Sequence, residues 1–224
     1  MPPSPVTIVG ATGDLGFGLA LRLAHAGGVP IVIGSRDAAR AAEAAERVRA
    51  AVPGAEVRGA ENAEAAAASD LVVLSVPFAS QASTLRSIRD ALRPGTLLLD
   101  VTVPLATAVG GRPTRTLGVP QGSAAQQAQE LVPDGVTVVA GLHTVAARHL
   151  ADLDHRFDED ALICGDDAAA KERVAELIRR IPGLRPVDAG RLELARIVEQ
   201  LTALTISINV RHKVTAGIRI VGLP

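Results

Sequence analysis

The chain of 224 residues contains no tryptophan, no tyrosine, three phenylalanines, one methionine and one cysteine. Without tyrosine it cannot carry the Tyr–Lys pair of short-chain dehydrogenases. The lone thiol, Cys164, excludes an intrachain disulfide and fits a reducing compartment. Lysine is nearly absent too, because all basic residues but Lys171 and Lys213 are arginine. A lysine acid–base catalyst would have to be one of these. Lys171 lies in the polar stretch "DDAAAKER" and Lys213 in a basic tail, so both read as surface. A formal net charge of −1 leaves no basic footprint for nucleic acid. No apolar run approaches the ~20 residues of a membrane span. The opening "MPPSP" lacks the charged and apolar regions of a secretory signal. No His/Cys/Asp grouping has metal-ligand spacing. These absences predict a cytoplasmic protein without a metal, a nucleic-acid partner or a membrane segment.

Apolar residues make up 48% of the chain, enough for a sizeable core, which must then be aliphatic. The first half alternates short apolar runs with longer helical patterns, as βαβ units do. Residues 7–9 read as a strand, and 14–26 as a helix with Leu15, Leu19, Leu23 and Ala26 on one face. "PIVIGS" is a second strand, 37–52 an alanine-rich helix, and "AEVRGA" a weaker third strand. "DLVVLSVP" and "TLLLDVTV" are continuous apolar runs, expected for strands buried on both faces. "SQASTLRSIRDAL" is the helix between them. Residues 104–122 form a long loop rich in Gly, Pro and Thr, and loops of this length are often functional. Ser123 starts a helix, with Gln126 placed for a capping box, and "VTVVAGLH" is a sixth strand. Past a soft boundary at 141–144 come a short helix at 144–153, a strand "ALICGD", a helix at 168–181 and a strand "LRPVDAG". The last helix, 191–210, is apolar nearly all round. Such a helix belongs in a core, at a subunit interface or beside a bound ring.

Glycines at 10, 13 and 16 lie between the first strand and the first helix. Small residues there let a backbone approach a pyrophosphate, whose charge faces the free N–H groups of the helix start. The spacing is G-x-x-G-x-x-G, and its position after a strand and before a helix is what strengthens it. The alternative is a glycine-rich turn with no ligand. The candidate cradle is Gly10, Ala11, Thr12, Gly13, Asp14, Leu15 and Gly16. Together these patterns read as an α/β fold. Residues 1–143 form a Rossmann-type doubly wound parallel sheet that binds the nucleotide. Residues 144–224 form a smaller C-terminal α/β part that closes the cofactor cleft.

At the end of the second strand, where NAD-binding folds place an acid for the ribose hydroxyls, the chain reads "GSR". Ser35 and Arg36, with Arg40 one helical turn on, suit a 2′-phosphate dianion through charge-assisted bonds. The nucleotide is therefore read as NADP(H). Asp37 is the competing acid, and its position is that of a helix N-cap. Arg40 alone is equally compatible with a solvated helix face.

The reacting group should lie at the carboxyl edge of the sheet. The candidates there are Ser75, Val76, Pro77 and Phe78, then Thr102, Val103 and Pro104, then His143 and Thr144. His143 is the one titratable group among them. It can bond cofactor or substrate, or be a structural histidine satisfied by backbone. A site with so little acid–base machinery suits ring-to-ring hydride exchange, which needs mainly positioning and exclusion of water. An NADPH-dependent reductase of a small imine or carbonyl remains open, as does an NADP-sensing protein without turnover.

The stretches "ATGDLGFGLALRLA", "VIGSR", "LHTVAARHLADLD", "CGDD", "GLRPVDAG" and "VEQLTALTISIN" occur in order across nearly the whole chain. On them the sequence resembles the F420:NADP oxidoreductases, which pass hydride between NADP(H) and the deazaflavin coenzyme F420. The resemblance implies that Thr12, Ser35, Arg36 and Arg40 hold the NADP phosphates. It implies that His143 and Val145 meet the nicotinamide–deazaflavin pair, with F420 as substrate, and that Thr202 contacts the deazaflavin. The chain departs from the family pattern at Ala11, Phe78, Ala146 and Gln200. The apolar late helix, with Thr202, Thr205, Ser207 and Asn209 as its polar points, suits the wall of a flat ring site, a homodimer core, or both. Arg211, His212, Lys213 and Arg219 read as a solvated charge run.

Overall fold

The computed structural model describes residues 4–223. The chain first lays down β1 (Val6–Val9), α1 (Asp14–Ala26), β2 (Ile31–Ser35), α2 (Ala38–Ala51), β3 (Val57–Glu61) and α3 (Asn62–Ala67). It continues with β4 (Leu71–Leu74), α4 (Phe78–Ile88), β5 (Leu97–Asp100), α5 (Ala124–Leu131) and β6 (Thr137–Ala140). It ends with α6 (Ala147–Ala151), β7 (Glu159–Gly165), α7 (Ala168–Arg179), β8 (Leu184–Asp188) and α8 (Ala195–His212). The strands form one sheet in the order β3-β2-β1-β4-β5-β6-β7-β8. All neighbours are parallel except β6 and β7.

Strand side chains alternate between two aliphatic cores, as a sheet covered on both faces requires. Ile8, Val73, Leu97 and Leu99 face one core with Leu19 of α1, Val48 of α2, Leu150 of α6 and Val174 of α7. Val9, Val72, Leu74 and Leu98 face the other with Leu85 of α4, Ala125 of α5 and Val198 of α8. The doubly wound parallel arrangement expected from the sequence is therefore present. The second half does not build a sheet of its own: β7 joins the edge of β6 antiparallel, and β8 follows it.

Boundaries moved where local patterns are ambiguous. The alanine tract after the third strand, which reads as helical but is assigned no element of its own, forms the short helix α3. The strand expected to run to His143 stops at Ala140, and the helix expected over 144–153 is only Ala147–Ala151. The capping box at α5 is half formed. Ser123 Oγ accepts from Gln126 N at 3.0 Å, while Gln126 Oε1 is buried without a partner. Asp37 does cap α2, accepting from Ala39 N and Arg40 N. Helix α8 buries Ala195, Val198, Ala203 and Thr205 but leaves Ile197, Leu204 and Val210 55%, 52% and 73% exposed. In the C-terminal segment Arg219 pairs with Asp158, while Arg211, His212 and Lys213 are exposed. Among the described residues no helix is long and apolar enough to cross a membrane, and no cluster of His, Cys, Asp and Glu could hold a metal ion.

Helix α6 has five residues, too few to persist unaided. It is held against α1. A Cβ on Gly18 would come within 2.8 Å of Leu150 Cβ, so glycine lets the two helices touch. One turn on, Arg22 is 3% exposed. Its guanidinium donates to the carbonyls of Leu150 (3.0 Å), Leu153 (3.2 Å), His149 (2.7 Å) and His155 (2.9 Å), and also to that of Asp152. It also lies 5.2 Å from the Phe157 ring centroid. Helix-end carbonyls need such partners when water is excluded. Arg22→Ala leaves several of them unpaired and should cost about 3 kcal/mol or more. Urea denaturation measures this, and a loss under about 1 kcal/mol would show that the clamp is dispensable.

Candidate active site

The switch point of the strand order lies between β1 and β4, and the carboxyl ends of β1, β4, β5 and β6 open there. Two adjoining cavities occupy this edge, of about 360 Å³ and about 610 Å³. Gly13, Ser75, Val76 and Pro77 line both, so they form the wall between them.

The smaller cavity is lined by Gly10, Thr12, Gly13, Ser35, Arg36 and Arg40, together with Asp37 and Asn62. Gly10 has φ +87°, and a Cβ there would lie 2.3 Å from the carbonyl oxygen of Ser75, so only glycine fits. Helix α1 begins at this turn with no side-chain cap, so its first N–H groups are left for an anion. Ala11 is fully buried, and Gly16 packs against it. Both support the loop from beneath and border neither cavity. Arg36 and Arg40 are exposed and have no acidic partner among the described residues. Two unneutralised guanidinium groups, a serine hydroxyl and an uncapped helix start fit a phosphorylated dinucleotide.

The larger cavity is mostly apolar, with Leu15, Val76, Pro77, Val103 and Val145 on its walls. Asp14, His143 and Thr202 also border it, and Thr144 and Pro104 do not. The chain turns into His143 through Leu142, which is 1% exposed and has φ +62°. A leucine in the left-handed region is strained by roughly 1 kcal/mol or more, and such strain concentrates at functional sites. Both ring nitrogens of His143 are buried and have no partner. The structural alternative, an imidazole satisfied by backbone, is therefore not realised. Burial lowers its pKa to about 4, so the ring is neutral at pH 7, with one donor and one acceptor. Its backbone carbonyl is fixed instead, accepting from Thr202 Oγ1 of α8 at 2.8 Å.

Below this cavity lies a buried acid network absent from the sequence reading. Asp100, at the end of β5, accepts from Gln81 Nε2 at 2.5 Å and from Thr102 N at 2.8 Å. Glu199, one turn before Thr202, accepts from Ala124 N (2.9 Å) and Ala125 N (3.1 Å) at the start of α5. Burial raises Asp100 to about 6 and Glu199 to about 8. Lys171 corrects another expectation. Its side chain is only 14% exposed, tied to Asp188 at 2.7 Å, and it borders neither cavity.

The family profile for coenzyme F420-dependent NADP oxidoreductases matches residues 5–104. The F420-dependent NADP reductase of Methanothermobacter thermautotrophicus is 43% identical over 223 residues, covering 98% of this chain and 95% of that protein. The chain belongs to the F420-dependent NADP oxidoreductase family. The reductase of the same name from Methanocaldococcus jannaschii is 41% identical over 223 residues, covering 97% and 98%. A crystal structure from Arthrobacter sp. FB24, provisionally named an F420-dependent NADP reductase, superposes with TM-score 0.81 at 27% identity. It covers 97% of this chain and 99% of that one. The Rossmann-like fold is thus shared with that structure along nearly the full length of both chains.

The cavities also contain residues the sequence reading missed. Asn62, Ser80 and Thr84 border the smaller one, and Leu105, Thr107 and Ala108 of the long loop border the larger. The loop's length signalled a role, whereas nothing local marks Asn62.

The neutral imidazole has a pH signature. In the unfolded chain a histidine protonates near pH 6.5, while His143 resists until about 4. The unfolded state thus binds the extra proton in that window, and stability falls as pH drops through it. Replacing His143 by Gln should flatten the loss between pH 7 and 4.5 by roughly 2 kcal/mol. Denaturant titrations at the two pH values read this. An unchanged slope would mean that the ring titrates normally in the fold.

Proposed function

We propose that this protein passes hydride between NADP(H) and the deazaflavin coenzyme F420. The supporting observation is the pair of cavities sharing one wall, one ringed by unpaired arginines and the other apolar around a neutral imidazole. Residues 1–143 bind the nucleotide, and 144–224 close the cleft over it. Ser35, Arg36 and Arg40 take the 2′-phosphate. The turn from Gly10 to Gly13 and the start of α1 take the pyrophosphate. Bound NADPH supplies a hydride from its dihydronicotinamide ring to the deazaflavin, with one proton drawn from solution. Val76, Pro77, Val103 and Val145 pack against the reacting rings and exclude water. His143 bonds the ring system through the imidazole nitrogens that lack protein partners. Thr202 holds the His143 carbonyl in place and borders the deazaflavin. A reducing, cytoplasmic setting suits Cys164, which is buried with its thiol pushed up to about 11.

The protein mixed with NADPH and oxidised F420 should bleach the visible band of the deazaflavin. No bleaching in either direction across a pH series would overturn the reading.

We also propose that the protein is a homodimer through α8. Ile197 and Leu204, two helical turns apart on one face, are exposed. Leu204→Glu should convert the dimer to a monomer in sedimentation. A wild-type monomer, or a variant that stays dimeric, would contradict this.

A further inference from the structure

The β2–β3 ladder sets Glu61 directly beside Ser35, and Asn62 follows as the first residue of α3. Asn62 is 3% exposed, and it lines the same cavity as Ser35, Arg36 and Arg40. Its Oδ1 is turned inward against the strand floor and has no partner. A Cβ on Gly34 would meet that oxygen at 3.1 Å, so the glycine leaves it room. With the carbonyl end of the amide packed inward, the Nδ2 donors are what Asn62 offers the cavity. Glu61, the nearest acid, has its carboxylate engaged as the cap of α3, accepting from Ala63 N at 2.9 Å. Asp37 is likewise engaged on the start of α2. The acids nearest this end of the cavity are thus held by helix starts.

We infer that Asn62 is a specificity-determining residue that donates from Nδ2 to the 2′-phosphate of NADP(H). It is a neutral third arm beside Arg36 and Arg40. The inference rests on the reading of the smaller cavity as an NADP site. A neutral donor adds direction where two mobile exposed guanidinium groups supply charge.

The test compares dissociation constants for NADPH and NADH in wild-type protein, Asn62→Ala and Asn62→Asp, with Arg36→Glu as control. Asn62→Asp keeps the shape and sets a carboxylate against the dianion. It should weaken NADPH about tenfold or more while changing NADH less than about twofold. Asn62→Ala should weaken NADPH alone, by about fivefold. Thermal melting establishes that each variant is folded. Equal losses for both nucleotides, or no loss for either, would overturn the role of Asn62. If wild-type protein and Arg36→Glu bind NADPH alike, the cavity assignment fails, and the inference fails with it.

Discussion

The site depends on the contact between Arg22 and the chain that follows His143. Helix α1 begins at the Gly10–Gly13 turn and reaches the short helix α6 through Gly18 and Arg22, one and two turns later. Both ends of the cleft are thereby referred to one rigid element. The Gly10–Gly13 turn lies at the start of α1, and the His143–Val145 segment leads into α6, docked on its flank. A five-residue helix with buried terminal carbonyls has little stability of its own. A single cation accepted by five carbonyls supplies what the sequence of α6 does not.

The opposite wall is held by a buried acid. Glu199 joins α8 to the start of α5, and one turn further Thr202 fixes the His143 carbonyl. Asp100 and Gln81 tie β5 and α4 to the same place, with Gln81 also donating to Ala124 O at 2.9 Å. Burying an acid is costly unless it is hydrogen-bonded, and Asp100 and Glu199 both are. Between the two anchors, the strained Leu142 turns the chain so that the imidazole meets the cavity edge. The outcome is a cleft whose reacting side is apolar and whose histidine stays neutral. Such a place can orient two flat rings without offering either an acid.

Much of this was legible in the sequence because it depends on local order. The glycine turn follows a strand and opens a helix, and "GSR" sits at the end of the next strand. Thr12, Ser35, Arg36 and Arg40 accordingly face one cavity, and Val103, His143, Val145 and Thr202 the other. What was not legible depends on contacts distant in sequence. Asn62 enters the site only because β3 pairs with β2. Glu199 is buried only because α5 starts above it. Lys171 looks solvated in a polar stretch, yet β8 brings Asp188 to it. The antiparallel attachment of β7 has no local mark either, since a strand buried on both faces reads the same in either direction.

The central claim is that the nucleotide spans the shared wall of Gly13, Val76 and Pro77 and meets the deazaflavin in the larger cavity. A crystal structure with NADP⁺ and F420 bound tests it most directly. The account predicts the 2′-phosphate among Ser35, Arg36 and Arg40, with the nicotinamide ring in the larger cavity beside His143 and Val145, stacked on the deazaflavin. A nicotinamide ring outside that cavity, or a deazaflavin bound elsewhere on the chain, would contradict it.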